Sequence, residues 1–353
     1  MAKKNVYYRE VKQGIPSLVD DKGMFNFGTY NQPIPKINML DAKRPLGFRA
    51  PRWYKKFRLK EWEAFQAGNK DVFIFGAVYN AKANGYVLLA VYDRRNEKFY
   101  NYEKIMLSFK IKNASGLFNS VSVGEAKNYY LAVKNNLEKD EIYVEGKIGP
   151  QDDLPVTRLN IKAYHTGEPI VICQPFAPNR ALYSHKNLMP MEGFIAIGDE
   201  QIQFDKDDAR MVLDDHKGYY PYEMKYDWVT GFAKDEEGND FGFNLTDNQI
   251  LNHEKYNENC LWLNGKMNVL PPIKVERFYE KEEKWHITDK YGMVNLWFYP
   301  EPKAFKEVKL NLLVVRSDYE APMGRFKGYF QLKDKKINVE NCFGMGEKKK
   351  IRV

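Results

Sequence analysis

The residues best suited to chemistry lie in one short block, residues 211–228, which reads MVLDDHKGYYPYEMKYDW. Its apolar start predicts a strand that ends at Asp214 and is followed by a turn at Gly218. An aspartate beside aromatic side chains is poorly hydrated, which raises its pKa and suits it to act as a general acid. Asp214 is therefore the first candidate catalytic residue. The alternative is structural, since an aspartate before a glycine turn commonly caps backbone N–H groups.

The aromatic residues of this block are its second feature. Tyr219 lies next to the expected turn. If a strand resumes at Tyr222, Tyr226 and Trp228 share one of its faces, because side chains alternate along a strand. Ligand pockets are lined mostly by apolar and aromatic side chains, so Tyr219, Tyr226 and Trp228 are candidate ligand contacts. A tryptophan here is also compatible with an ordinary barrel core.

Two downstream segments extend the pattern. Asn244 lies in the strand-like run GFNL, where its amide can face inward, and Glu258-Asn259 precedes a hairpin strand that contains Trp262. A carboxylate at Glu258 would form a pair with Asp214, the minimum set for acid–base catalysis. Asn244, Asn259 and Trp262 are further candidate ligand contacts. The alternative for Glu258 is an ion pair at a strand edge.

The motifs of the common cofactor and metal enzymes are absent from the sequence. It contains no GxGxxG after a strand, no Walker loop, no HExxH and no GxSxG. Its five histidines do not occur at metal-ligand spacing, and each is interpreted as a surface or satisfied core residue. We therefore expect neither a metal ion nor a cofactor.

Cysteine usage and the first residues predict a cytoplasmic protein. Cys173, Cys260 and Cys342 lie far apart without CxxC spacing, which is typical of reduced thiols. Residues 1–8 carry basic side chains but lack the apolar run of a secretory signal. The mean hydropathy of −0.61 accompanies a sequence without an apolar run long enough for a transmembrane helix.

The net charge of +8 permits contact with an anionic membrane surface. Charges of both signs are interspersed, and the concentrated basic run at 347–352 is expected to be a frayed tail. No basic stripe or nucleic-acid-binding motif accompanies it, so we expect no nucleic-acid partner. The sequence leaves the oligomeric state open.

Apolar and aromatic runs separated by polar turns predict strands along both halves of the chain. Asn264-Gly265 between two such runs predicts a tight hairpin, and the polar segment 234–239 predicts another. Segment 51–66 is expected to begin the first sheet, and only 125–137 offers a short helical alternative. The fold class is therefore all-β, with strands that close into sandwiches or barrels.

The Pro- and Asn-bearing segment 175–191 is the expected domain boundary. The resulting organisation is an extended lead-in at 1–50, a first β domain at 51–185, a second at 190–345 and a basic tail at 346–353.

Taken in order, these pieces resemble the DUF2804 protein family, and the resemblance spans nearly the whole chain. It rests on Asp214, Gly218-Tyr219, Pro221, Trp228, Gly242-Phe243-Asn244-Leu245, Glu258-Asn259, Trp262 and Gly265, and on the earlier segments Gly14-Ile15-Pro16, Asp21-Lys22-Gly23 and Lys60-Glu61-Trp62. The family often has two tryptophans two residues apart, whereas this chain has Tyr226 before Trp228. That departure keeps an aromatic surface but removes one indole N–H.

The DUF2804 family is distantly similar to the tandem lipocalin-like proteins, which include carotenoid hydratases and lipocalin-like pericyclases. This similarity implies two tandem lipocalin-like (calycin) antiparallel β-barrels, at 51–185 and 190–345, with an apolar ligand held in a barrel or at the seam between them. It transfers no reaction, because one fold hosts many functions.

Three functions remain open at this point. The first is binding of an apolar small molecule, such as a lipid or an isoprenoid-like compound. The second is a hydratase or isomerase in which Asp214 donates a proton, aided by Glu258 or a tyrosine. In that enzyme Trp228 and Tyr226 would stabilise developing positive charge through their rings. The third is an interaction scaffold whose barrels are filled by side chains.

Overall fold

The chain forms two compact units built almost entirely of β-strands. A computed structural model describes residues 7–280, 282–311 and 316–352, and their side chains outside 308–317. The barrel unit comprises residues 13–220, and the half-barrel unit combines residues 1–12 with 221–353. Strands make up 62% and helices 5%, which confirms the all-β prediction.

The described residues form 24 strands. In chain order the first fifteen are β1 (Val11–Lys12), β2 (Gly28–Tyr30), β3 (Lys60–Gly68), β4 (Val72–Asn80), β5 (Asn84–Asp93), β6 (Lys98–Leu107), β7 (Ile111–Lys112), β8 (Ser120–Ala126), β9 (Tyr129–Asn136), β10 (Glu141–Ile148), β11 (Thr157–Tyr164), β12 (Ile170–Ala177), β13 (Arg180–Ile197), β14 (Glu200–Phe204) and β15 (Arg210–Gly218). The other nine are β16 (Glu223–Lys234), β17 (Asp240–Asp247), β18 (Cys260–Leu263), β19 (Lys266–Val269), β20 (Ile273–Phe278), β21 (Lys284–Asp289), β22 (Val294–Asn311), β23 (Arg316–Gln331) and β24 (Lys336–Arg352).

The barrel unit is one antiparallel sheet that curls until its two ends nearly meet. Its strands follow the order β6-β5-β4-β3-β15-β13-β11-β10-β9-β8-β7. Ile111 on β7 packs against Gly85 on β5, and Val87 on β5 packs against Gly124 on β8, because neither glycine carries a side chain. The interior is filled by apolar residues from every side of the barrel. They include Phe65, Val91, Leu131, Ile161, Met189 and Leu213.

Residues 13–50 contain little regular structure besides β2 and a 3-10 turn at Met39–Asp41. They nevertheless bury a second apolar cluster, in which Leu18 and Met39 pack with Tyr183 on β13 and with Tyr219. The lead-in is therefore anchored to the barrel unit by its own small core.

The half-barrel unit is a second antiparallel sheet with the order β19-β18-β17-β16-β24-β23-β22-β21-β20. Its concave face buries an aromatic core in which Phe298 stacks on Phe326, with ring centroids 4.5 Å apart. Trp285 packs edge-on against Phe298, and Phe243 packs edge-on against Phe326. The protein thus contains two barrel-type sheets, one nearly closed and one half-closed, which confirms the tandem architecture expected from the sequence.

The expected hairpins are confirmed. Asn264 and Gly265 join β18 to β19 with φ values of 49° and 75°. Positive φ at both central residues is the two-residue turn whose twist matches that of the flanking strands. The polar turn after Lys234 joins β16 to β17 in register.

Two local expectations are wrong. Segment 51–66 begins with a helix, α1 (Arg52–Arg58), whose start follows Pro51, and only then enters β3. Segment 125–137, the short helical alternative, consists mainly of β9 and the end of β8. Among the described residues, no helix combines the length and apolarity needed to cross a membrane.

The expected domain boundary falls inside β13, and the division between the two units lies between Tyr220 and Pro221 instead. β13 pairs with β12 and β15 through its first half and with β11 and β14 through its second. Pro175 does not interrupt the pairing of β12 with β13. It lies beside a bulge at the end of β12, where the backbone N–H that proline lacks is not needed.

The expected frayed tail is also wrong. Residues 346–352 form the last part of β24, which pairs with β16 on one side and β23 on the other. Two of its lysines have acidic or aromatic neighbours: Lys348 pairs with Glu320 at 3.1 Å, and Lys349 lies over the Tyr226 ring. The basic run is therefore an ordered part of β24 and not a solvated chain end.

The hairpin turn supplies a stability prediction. Gly265→Ala forces a Cβ into the left-handed region, which costs about 1–2 kcal/mol. We expect the free energy of unfolding, measured by urea denaturation, to fall by about that amount. Gly116→Ala is the matched control, because a Cβ there meets only ordinary contacts. An equal loss in both variants would contradict the turn geometry.

Candidate functional site

Asp214 lies in the middle of β15 and not at a strand end, as the sequence suggested. It is in register with Lys186 on β13 and with Ala64 on β3. The strand continues to Gly218 because the polar residues after Leu213 find partners on neighbouring strands.

Side chains on β15 alternate between two faces. Met211 and Leu213 point into the barrel core, and Asp215 follows them on the same face. Asp214 and His216 therefore lie on the opposite face of the sheet, which we call the outer face. Both residues are buried there.

Three groups converge on one oxygen of Asp214. Its Oδ1 lies 3.2 Å from His216 Nδ1, 3.3 Å from the Ser184 hydroxyl and 3.7 Å from Lys186 Nζ. Ser184 and Lys186 stand two residues apart on β13, so they share the outer face with Asp214 and His216. The strand register alone brings these four side chains together.

The charge state of Asp214 differs from the sequence prediction. Burial by itself would raise the pKa of its carboxyl, but the charge of Lys186 and the interactions with His216 and Ser184 outweigh burial and lower that pKa to about 2. The expectation of a raised pKa is therefore wrong. Asp214 is an ionised carboxylate at neutral pH and acts as a hydrogen-bond acceptor for its neighbours.

His216 is a candidate catalytic residue that the sequence led us to interpret as a surface or satisfied core residue. An ionised carboxylate only accepts hydrogen bonds, so the Nδ1–H of the ring donates to Asp214. In the neutral ring Nε2 then carries the lone pair. Nε2 is buried, has no hydrogen-bond partner, and belongs to a residue that is only 6% exposed. A histidine oriented in this way is suited to general-base catalysis. The signal in the sequence was the spacing Asp-x-His within a strand.

Aromatic rings cover one side of His216. The Trp62 ring stacks on the imidazole, with centroids 4.2 Å apart and an interplanar angle of 28°. Tyr220 stacks on Trp62 at 5.5 Å, and Phe176 lies 5.4 Å from Tyr220. These rings give the outer face an extended aromatic surface next to Nε2.

Two buried amides on the outer face have no hydrogen-bond partner at either side-chain atom. Gln66 lies four residues after Trp62 on β3, which places it on the same face. Gln174 on β12 is in register with Leu182, two residues before Ser184, and so shares the face as well. Both glutamine side chains are at most 1% exposed. Buried amides without partners are rare in proteins, which marks this face as a place where a polar group belongs.

The half-barrel unit holds most of the other predicted site residues in one hydrogen-bonded network. Trp228 Nε1 donates to Asn244 Oδ1 at 2.7 Å, and Asn244 Nδ2 donates to the Glu258 carbonyl at 2.8 Å. The Thr246 hydroxyl donates to Glu258 Oε1 at 2.6 Å. These bonds tie the segment before β18 to β17. Glu258, for which an ion pair at a strand edge was the alternative, is buried and accepts this hydrogen bond.

Asn259 continues this network. Its Oδ1 accepts the Thr246 backbone N–H at 2.7 Å, and its Nδ2 donates to the Pro271 carbonyl at 2.9 Å. Arg9 donates to the Asn259 carbonyl at 2.9 Å. Trp262 is buried beside it on β18. Residues that match the family pattern thus hold each other in place, which favours a structural role for them.

Tyr226 and Tyr219 have separate surroundings. The Tyr226 hydroxyl donates to Glu347 at 2.8 Å, and the Tyr319 hydroxyl donates to the same carboxylate at 2.6 Å. Tyr219 is fully buried in the lead-in cluster and donates to the Met39 carbonyl at 3.3 Å. Its side chain belongs to the opposite face of the sheet from Asp214.

The predicted carboxylate pair is not formed within either unit. Asp214 belongs to the barrel unit and Glu258 to the half-barrel unit. What the structure assembles around Asp214 is a histidine, a serine and a lysine. Throughout 7–280, 282–311 and 316–352 there is no group of three or more His, Cys, Asp or Glu side chains that could hold a metal ion.

Comparisons with known proteins identify a family and a fold. The family described as "Domain of unknown function (DUF2804)" matches residues 8–353. No curated protein shows detectable sequence similarity to the chain.

The solved structures that are similar to this chain include two of CghA and one of an AttH-like protein. CghA with Sch210972 has a TM-score of 0.57 at 8% identity, covering 95% of this chain and 98% of CghA. CghA in a second structure has a TM-score of 0.53 at 8% identity, covering 84% and 88%. An AttH-like protein from Nitrosomonas europaea has a TM-score of 0.47 at 11% identity, covering 83% and 92%. At these identities the likeness to CghA establishes the fold over nearly the whole chain.

The half-barrel network supplies a prediction about structure. Trp228→Phe keeps an aromatic ring but removes the N–H that Asn244 accepts. A buried acceptor left without its donor costs about 1–3 kcal/mol, so we expect the free energy of unfolding to fall by that amount. Trp53→Phe, on an exposed face of α1, is the matched control and should change stability little. If Trp228→Phe and Trp53→Phe lowered the free energy of unfolding equally, the hydrogen-bonded network would be contradicted.

The charge of Asp214 supplies a prediction about pH. Its folded-state pKa of about 2 lies below the ordinary value of 3.8, so the contribution to stability is full above that value and is lost as pH falls through about 2. Asp214→Asn should lower the free energy of unfolding by on the order of 2 kcal/mol near neutral pH. Urea denaturation should show this difference shrinking below about pH 4. Asp153→Asn, on an exposed turn, should show no such trend.

Proposed function

The chain belongs to the DUF2804 family, and we propose that it binds a small molecule on the outer face of the barrel unit and that His216 transfers a proton to or from it. The observation that carries this proposal is the Asp214–His216 pair. Its Nδ1 is held by an ionised carboxylate, while Nε2 is buried, unpartnered and adjacent to an aromatic surface.

The proton-transfer step follows from this geometry. Nε2 removes a proton from a C–H or O–H acid of the bound molecule, and the ring becomes an imidazolium. The carboxylate of Asp214 and the stacked face of Trp62 stabilise that positive charge. The same nitrogen can return the proton to another atom of the molecule, which gives an isomerisation. It can also pass the proton to a leaving hydroxyl, which gives a dehydration, or run that reaction in reverse as a hydration.

Asp214 has a different role here from the one expected. An ionised carboxylate with a pKa of about 2 cannot donate a proton at neutral pH. It orients His216 and stabilises the charged ring, so it is a positioning residue. Lys186, buried beside it, balances the carboxylate when the ring is neutral.

The lining of the outer face supports a particular class of ligand. Trp62, Tyr220 and Phe176 favour a flat or conjugated apolar body. Gln66 and Gln174 would remain unsatisfied against a pure hydrocarbon, at a cost of about 1–3 kcal/mol for each unpaired group. The ligand proposed is therefore an apolar molecule that also carries carbonyl or hydroxyl groups. The CghA structure that contains Sch210972 gives this fold a precedent for ligand binding.

The test uses full-length protein purified from its own host. We expect native mass spectrometry to find a bound small molecule that is lost in Trp62→Ala and retained in Trp53→Ala. In deuterium oxide, wild-type protein should incorporate deuterium into that molecule, and His216→Gln should bind it but lower the rate of incorporation at least about 100-fold. His253→Gln, in the half-barrel unit, is the matched control.

Three results would contradict the proposal. If no preparation contains or takes up a small molecule, the ligand site does not exist. If His216→Gln retains the wild-type rate of deuterium incorporation, His216 is not the base. If wild-type protein incorporates none, the protein binds its ligand without acting as a base.

A further inference from the structure

A second polar cluster lies inside the barrel unit, on the face opposite to the proposed His216 site. It is formed by Glu63 on β3, Asp215 and Lys217 on β15, His185 on β13 and Asn135 on β9, and we call it the interior layer. All five side chains are at most 2% exposed. They adjoin the apolar core that fills the rest of the barrel.

Strand register places three of these residues side by side. His185 is the cross-strand partner of Asp215, and Asp215 is the partner of Glu63. Direct cross-strand neighbours on one face have Cβ atoms about 4.5–5.5 Å apart. Asn135, on β9, reaches Glu63 from the far side of the barrel. The interior layer is therefore one continuous polar region and not a set of isolated residues.

The interior layer contains more hydrogen-bonding capacity than its own members satisfy. Both carboxyl oxygens of Glu63, Oδ2 of Asp215, both side-chain atoms of Asn135 and Nδ1 of His185 are buried without a hydrogen-bond partner of good geometry. Ser122 also approaches Glu63, from β8. Native proteins rarely leave buried polar atoms unpaired, and here six lie in one layer. Such a concentration of unpaired donors and acceptors would be satisfied by an additional polar species in the interior layer.

The charges of the interior layer do not balance when its acids are ionised. Lys217 Nζ binds Asp215 Oδ1 at 2.9 Å, which pairs one ammonium with one carboxylate. Glu63 is the second carboxylate and has no cation of its own. Burial, and then the nearby charge of Asp215, raise the pKa of Glu63 to about 8. A proton on Glu63 therefore supplies the missing positive charge at neutral pH.

The other titratable residues near the interior layer do not supply the missing positive charge. His185 and His165 contact each other through Nε2 atoms 3.0 Å apart, and burial lowers the pKa of both rings, so they are neutral near pH 7. Tyr183 on β13 is neutral, because burial raises its pKa. Glu61 on β3 is already paired with Lys82. With both acids ionised, the interior layer therefore lacks one positive charge.

We propose that the interior layer is a binding site for one monovalent cation, ammonium or an alkali ion, which takes the place of the proton on Glu63. The donors are carboxylate and amide oxygens, from Glu63, Asp215 and Asn135, which suit a hard cation. A divalent ion would leave one excess positive charge beside Lys217. Binding follows the balance Glu63-COOH + M⁺ → Glu63-COO⁻·M⁺ + H⁺, so one proton is released for each cation bound.

The experiment uses the full-length protein in choline chloride, with potassium, sodium or ammonium chloride substituted at constant ionic strength. We expect at least one of these ions to raise the midpoint of thermal unfolding relative to choline. Because the proton competes with the cation for the two carboxylates, the apparent affinity should rise with pH and level off once both acids are ionised. In weakly buffered solution near pH 7, a pH indicator should report about one proton released per cation bound.

Variants separate this site from nonspecific salt effects. Glu63→Gln keeps the shape but cannot exchange a proton, so the ion-specific stabilisation and the proton release should both disappear. Asn135→Leu leaves the titrating group in place and should weaken cation binding at least about tenfold. Glu125→Gln, on the exposed side of β8, is the matched control and should behave as wild type.

Three outcomes would overturn the proposal. The first is the same unfolding midpoint in all four salts at pH 9. The second is unchanged proton release in Glu63→Gln. The third is an experimental structure in which water alone fills the interior layer in high potassium and in high ammonium. None of these outcomes bears on the His216 site, whose tests use other residues and other readouts.

Discussion

Successive side chains of a β-strand point to opposite faces of its sheet, and β15 places four charged or titratable residues in a row under that constraint. The side chains of Asp214 and His216 consequently lie on the outer face, while those of Asp215 and Lys217 lie in the interior layer. A slip of one residue would exchange all four between the two faces. The register that β13 and β3 impose on β15 therefore fixes both polar clusters at once, and neither can change position without the other.

The cost of burying charge explains why these residues occur in pairs. Each acid on β15 has a lysine on its own face: Lys186 beside Asp214, and Lys217 beside Asp215. A buried ion pair usually stabilises a fold no better than apolar residues of the same size would, and breaking it is expensive. Two such pairs in the wall of one barrel are thus poorly explained by stability alone. A role in chemistry or in ion binding accounts for them more directly.

The sequence predicted the parts of the fold that depend on local chemistry. The Asn264-Gly265 turn and the strand alternation around it follow from backbone preferences and binary pattern, and both are confirmed. The errors arose where distant partners override local signals. From the sequence alone, the strand was expected to end at Asp214, because the charged residues that follow need the neighbouring strands β3 and β13 to continue it. The basic run in β24 was expected to be a tail, because its acidic and aromatic neighbours are distant in sequence. His216 was missed for the same reason, because the rings of Trp62 and Tyr220 reach it only in the folded barrel.

The order of strands in the half-barrel unit has a consequence for how the protein is made. β24 is the last strand in sequence but lies in the interior of its sheet, between β16 and β23. During translation β16 emerges well before β24, whereas β23 directly precedes β24 in the chain. The sheet can therefore be completed only after residues 336–352 have left the ribosome. The barrel unit is a continuous segment, residues 13–220, and can fold while the remainder is still being synthesised. Until then the unpaired edge of β16 is a site where a chaperone, or another nascent chain, can add a strand.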